Sequence, residues 1–262
     1  MQNRFIVFAA TAAFLLAPAF GQGQAYRAPR GPDGHPDLNG IWQALNTANW
    51  DLEAHAAHES PLVEAGTLLA EPGGLSVVDG GAIPYLPQAL EKKKANYEHR
   101  MDLDPEVRCY LPGVPRATYL PYPFQIFQSE KYLAIAYEYD SAFRNIYLKD
   151  PGPAPIDTWM GQSFGHWEGE TLVVDVTGLD ERTWFDRAGD YHSDSLHVVE
   201  RYTPIAPNIL NYEATVEDPK VFSKAWKISM PLYRHVEKNA QLLEFKCVEF
   251  VEELMYGKYR KK

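Results

Sequence analysis

From Cys109 onward, hydrophobic and polar positions alternate in short runs. These are Gln125–Gln128, Tyr132–Tyr139, Arg144–Leu148, Ser163–Trp167, Thr171–Thr177, His197–Thr203, Ile209–Val216, Trp226–Tyr233 and Leu242–Val248. A period of two places successive side chains on opposite faces, so each run reads as a half-buried strand. Leu172, Val174 and Val176 share one face of their run, and Thr171, Val173, Asp175 and Thr177 the other. Tyr137 and Tyr139 fall with Leu133 and Ile135; Glu200 and Tyr202 with Val198; Tyr212 with Leu210, Ala214 and Val216. Breaks at Ser129-Glu130-Lys131, Asp140-Ser141-Ala142, Pro204–Asn208 and Asp218-Pro219 separate the runs. A tight turn is expected with Glu168-Gly169 at its tip, because Gly tolerates positive φ. Many short strands with such punctuation predict a mainly β chain, an antiparallel barrel or sandwich rather than βαβ units.

The chain before residue 109 has a different texture. Residues 1–21 read as a signal peptide: Arg4, an apolar stretch from Phe5 to Leu16, then small residues around Ala19-Phe20-Gly21. The apolar run is short for a membrane span and Pro18 breaks it. Residues 22–108 are expected to form an irregular, partly helical extension with a first strand near 40–45. Within it, DLEAHAAHESP suggests a helical turn carrying His55 and His58, and Leu90–Met101 a short charged helix that ends before Pro105. Residues 109–250 form the antiparallel β domain, and 251–262 a basic tail.

Charge and cysteine usage narrow the partners. The formal net charge of -10 becomes -11 once Arg4 leaves with the leader, which excludes nucleic acid as a natural partner and disfavours an anionic membrane surface. The two cysteines, Cys109 and Cys247, lack CxxC or zinc spacing. In an oxidising compartment an even pair predicts one disulfide. The protein is expected to be periplasmic or secreted.

Candidate chemistry concentrates between Leu179 and Ser195, where Asp180, Arg182, Trp184, Asp186, Arg187, His192 and Asp194 crowd one connection. Loops on a rigid β scaffold are where binding and catalytic groups collect. His192 is the natural proton carrier because imidazole titrates near neutrality. Asp186 or Asp194 would orient it, and Arg182 or Arg187 would stabilise a developing anion. Trp184 supplies an apolar wall. Tyr139, Arg144, Asp157 and His197 are expected to join this set at one concave mouth. The alternative is a structural network in which Asp180, Arg182, Asp186 and Arg187 pair with each other to pin the loop. His192 and His197, with Asp194 and Glu200 nearby, lack an HExxH-type spacing, so no metal is expected there, nor any other cofactor. Gly161-Gln162-Ser163-Phe164-Gly165 matches GxSxG but lacks the strand–turn–helix elbow that a serine nucleophile requires.

The motifs YPFQIFQ (122–128), YEYDSAFR (137–144), WMGQSFGHWEGETLVVD (159–175) and RTWFDRAGDYHSDSLHVVER (182–201) resemble a large, uncharacterised family of exported bacterial β-rich proteins. That resemblance implies export and a single domain, and no activity. Gly40-Ile41-Trp42 more loosely resembles the first strand of lipocalin-like barrels, where the Trp plugs the closed end. The long segment 43–120 departs from a simple lipocalin, in which a hairpin follows the first strand at once. The fold expected is therefore a lipocalin-like barrel or a sandwich. The function expected is an exported small-molecule enzyme using acid/base chemistry in a barrel pocket. A non-catalytic binding protein for a small apolar or aromatic ligand is the alternative.

Overall fold

The computed structural model describes residues 26–59 and 70–256. Residues 1–25, which contain the expected signal peptide, residues 60–69, at the start of the expected Gly- and Pro-rich stretch, and residues 257–262 of the expected basic tail lie outside the described residues. Nine strands close into one barrel in chain order. They are β1 (Gly40–Ala44), β2 (Phe124–Gln128), β3 (Leu133–Tyr137), β4 (Phe143–Tyr147), β5 (Gln162–Glu168), β6 (Thr171–Thr177), β7 (His197–Ala206), β8 (Ile209–Glu217) and β9 (Trp226–Arg234). Among the described residues, no helix is long and apolar enough to cross a membrane.

The alternation found in the sequence is what fills the barrel, and the pairing of β9 with β1 closes it. Leu172, Val174, Val176, Val198, Tyr202, Tyr212, Ala214 and Ile228 all face inward and are buried. Trp42 is fully buried, donates its indole N–H to the Leu38 carbonyl at 2.9 Å, and carries the Arg234 guanidinium over its ring. The β5–β6 turn is displaced by one residue from the expected tip. Gly169 takes the first of two loop positions, at φ +61°, and Glu170 the second.

Three expectations are corrected. Neighbours pair antiparallel except β4 and β5, which run parallel. Parallel neighbours need a crossover connection, and residues 148–161 provide it. The alternating run Leu242–Val248 is not a strand: β9 already pairs with β1, so no edge is left for it, and it runs irregularly outside the barrel. Residues 51–59 are not helical, and His55 and His58 form isolated bridges with Gly74 and Glu71. The expected charged helix is present as α1 (Pro87–Glu98), with Pro at its first turn where the missing N–H costs nothing. A short turn, Arg100–Leu103, follows it.

The barrel interior is filled by its own side chains. Arg144 and Glu200 form a buried ion pair there. Arg144 also donates to Ser163 at 2.7 Å, and Glu200 accepts from Tyr202 and Tyr212 at 2.9 and 2.7 Å. The buried Arg144 and Glu200 thus compensate each other's charge, as buried charges must, although one Arg144 amino group and the Tyr137 hydroxyl make no hydrogen bond among the described residues.

Candidate functional site: the charged cap

The connection after β6 folds into a small hairpin. Trp184 bridges Tyr191, and the Phe185 N–H donates to the Asp190 carbonyl at 2.7 Å. Asp186 opens the turn, and its carboxylate accepts the Asp190 N–H at 3.2 Å, a habitual use of Asp in turns. Its other oxygen accepts the Leu52 N–H at 2.9 Å, which ties the hairpin to the N-terminal extension. Gly189, at φ +85°, lets the turn lie against α1. A Cβ there would sit 2.8 Å from the Asn96 side chain and from the Tyr97 backbone nitrogen.

Arg187 sits at the hairpin tip and enters a chain of buried charges. It donates to both Glu106 oxygens at 2.9 and 3.1 Å and stacks over Trp50, 4.5 Å from the ring centre. Glu106 also receives Arg116 at 2.8 Å, while Arg116 makes a bidentate pair with Asp104 at 2.8 and 2.9 Å and donates to Asn49. Burial alone would push the Glu106 carboxyl up, but the guanidiniums of Arg187 and Arg116 outweigh it and hold the group at about 2. The segment bearing Glu106, the short helical turn Pro105–Arg108, is tied to the C-terminal segment by the Cys109–Cys247 disulfide, whose Cα atoms lie 5.6 Å apart.

A second charged group lies beneath α1. Asp190 accepts from Tyr85 at 2.7 Å and pairs with Lys93 at 3.0 Å. Asp186 and Asp51 lie beside it. Burial first, and then the neighbouring Asp190 charge, holds the Asp186 carboxyl well above the usual carboxylate range. Burial likewise raises Asp51.

Two cavities open on this cap, and Arg187 lines both. One, of about 270 Å³, is walled by Tyr122, Tyr139, Phe245, Val248, Glu106 and Arg187. The other, of about 310 Å³, is walled by Trp50, Asp51, His55, Lys93, Tyr97 and Arg187.

The structure brings together only part of the set expected from the sequence. Arg187 and Tyr139 share the first cavity, and Tyr139 donates to the Glu106 carbonyl at 3.3 Å. Asp186 lies under the cap, fully buried. His192 is 1 % exposed; its Nε2 meets the Thr183 hydroxyl at 2.6 Å and its Nδ1 the Ser193 carbonyl at 2.8 Å. Burial lowers its pKa. Trp184 is buried in the core rather than walling a mouth. Arg182 is exposed, pairs with Asp180 and stacks over Trp159. Arg144 belongs to the barrel interior and Asp157 to the exposed surface. His197 stands half-exposed on the outer face, 3.3 Å from Asp175. The expected single mouth is thus corrected: strand parity and the hairpin send these side chains in different directions. Ser163 is buried on β5 and accepts from Arg144, which is not the setting of a nucleophile.

Sequence reasoning passed over Glu106, Arg116, Asp190, Trp50, Lys93 and Phe245. A signal existed for Arg116, a lone charge in the otherwise apolar run VPRATYLPYPF. A charge in such a run, once buried, requires a partner. In comparisons with protein-family models, curated proteins and solved structures, nothing matches the chain.

Proposed function

We propose that the protein is an exported binding module for a small apolar or aromatic ligand, held at the capped end of the barrel and not inside it. The observation that carries this reading is the first cavity. Tyr122, Tyr139 and Phe245 supply aromatic walls, and Arg187 with Glu106 supplies a polar edge. A concave, mainly apolar site with a few fixed polar groups is the usual form of a small-molecule pocket. Its volume, about 270 Å³, lies just under the usual small-molecule range and so limits the ligand to a small ring system. The barrel interior is an unsuitable alternative because Arg144, Glu200, Tyr202 and Tyr212 already occupy it. Acid/base chemistry at His192 would need a path to a ring that is 1 % exposed with both nitrogens engaged. Binding therefore takes precedence over catalysis. Export is supported by the leader-like first 21 residues, by the disulfide, and by the resemblance to exported β-rich bacterial proteins.

The test is a fluorescence titration of the chain lacking its leader with 8-anilinonaphthalene-1-sulfonate, an aromatic anion. Val248 lines the cavity yet is 52 % exposed, so Val248→Trp fills the opening without disturbing the core. One saturable probe site per chain is expected, weakened about ten-fold or more in Val248→Trp at an unchanged melting temperature. Unchanged affinity in the folded variant overturns the reading.

A further inference from the structure

Beside the second cavity, which Asp51 lines, lies a feature that the binding reading does not use. Asp51, Asp186 and Asp190 each bring a carboxylate oxygen to one spot, all within 4.8 Å of one another. Asp186 and Asp190 are fully buried. The nearby cation, Lys93, is shared between Asp190 at 3.0 Å and Glu53 at 3.4 Å, so its charge does not balance the group. Asp190 shows the imbalance at one atom. Its Oδ1 takes the Tyr85 hydroxyl and the Lys93 ammonium, whereas its Oδ2 is buried and has no hydrogen-bond partner among the described residues. A buried carboxylate oxygen left without a partner is costly, and a cation is the partner that three converging carboxylates would share.

We infer that Asp51, Asp186 and Asp190 form a binding site for a calcium ion, reached through the cavity lined by Asp51 and Lys93. The all-oxygen donor set selects a hard cation over a transition metal. Carboxylate number favours calcium over magnesium, because magnesium gives up its waters reluctantly and is usually held by only one or two carboxylates. Each carboxylate oxygen that accepts an N–H keeps a second lone pair, so the bonds from Leu52, Glu53 and Asp190 are compatible with ligation. Of the three, Asp51 lines the cavity of about 310 Å³, which gives the ion and its waters a route in. Bound there, calcium would cross-link the N-terminal extension, through Asp51, to the hairpin, through Asp186 and Asp190. It would also set a positive charge in the floor of the second cavity. The inference stands apart from the proposed ligand site, which occupies the first cavity.

The experiment is calorimetric titration of the chelator-treated chain with calcium chloride at neutral pH, paired with thermal melting. One ion per chain is expected, with a dissociation constant of about 10⁻³ M or tighter, as in extracellular calcium modules. The melting temperature should climb with calcium concentration, as for any ligand of the folded state. Asp51→Asn is the informative variant, because Asp51 is only half-buried and an amide oxygen can still accept the Glu53 N–H. It should melt like the wild type without calcium and bind calcium about ten-fold more weakly or worse. Asp190→Asn should weaken calcium binding to a similar degree, but it should melt lower even without calcium because it also removes the buried partner of Lys93. Absence of both heat and melting shift at about 10 mM calcium overturns the inference and leaves a proton shared between the carboxylates in its place. Calcium affinity unchanged in Asp51→Asn and Asp190→Asn overturns it as well.

Discussion

Glu106→Gln tests the charged cap at its centre. Glu106 is 8 % exposed and receives three guanidinium hydrogen bonds, one from Arg116 and two from Arg187. Glutamine preserves the shape, but it removes the charge and points an NH₂ at guanidinium donors. Removing one partner of a buried ion pair costs about 3–5 kcal/mol. Arg116 keeps both bonds to Asp104, which places this case near the lower end, about 3 kcal/mol. Proton linkage gives a similar figure. A carboxyl that falls from 4.5 to about 2 on folding contributes about 3 kcal/mol at neutral pH. Because the folded pKa is the lower one, this contribution is complete above the unfolded value and is lost as pH falls toward about 2. Urea unfolding of wild type and variant, measured from pH 7 downward, reads the difference directly. A gap of about 3 kcal/mol at pH 7 should narrow below about pH 4.5 and close near pH 2. A gap under about 1 kcal/mol at pH 7, or one that does not narrow in acid, refutes the argument.

Two further outcomes follow from the same structure. The double variant Cys109→Ser, Cys247→Ser opens a loop of sequence separation 138 and should lose about 4–5 kcal/mol in urea unfolding. It should also lose probe binding in the first cavity, because Phe245 and Val248 reach that wall through the disulfide-tied segment; a folded double variant with intact probe binding contradicts this. Arg144→Met strands the fully buried Glu200 with only tyrosine donors and should cost about 3–5 kcal/mol by chemical denaturation. Adding Glu200→Gln should recover part of that loss, and a single variant within about 1 kcal/mol of wild type would count against the interior ion pair.

The barrel was legible in the sequence because alternation is a local property. Thr171–Thr177 has the same bounds in sequence and structure, and most other runs shift by a residue or two. Closure was harder to read. Leu242–Val248 alternates as well as some true strands, but pairing depends on a free edge, and β1 removes it from the other end of the chain. Arg144 shows a second limit. Arg144 was expected at a concave mouth, yet in the strand FRNIY it is buried while Phe143 is 62 % exposed. Register opposite β3 pairs Arg144 with Ile135, which fixes its face. The charge density of residues 179–195 singled out the connection that forms the cap hairpin, but its partners lie at Asn49–Leu52, Tyr85–Glu106 and beyond Phe245, and no short-range pattern joins them.

That dispersal bears on how the cap works. Its walls come from the N-terminal extension, the 184–191 hairpin and the C-terminal segment. Each wall is tied by its own device: Asp186 to Leu52, Arg187 to Glu106, and Cys109 to Cys247. The barrel beneath is closed and filled, so it offers a rigid platform and little space. Adjustments in response to a ligand therefore fall on the cap. Arg187 connects the two cavities, because a shift of its guanidinium away from Glu106 alters the polar edge of one and the Trp50 stack of the other. A ligand that displaced Arg187 in one cavity would alter a wall of the other. A calcium ion bound at Asp51, Asp186 and Asp190 would thus act on the first cavity by holding the hairpin that carries Arg187.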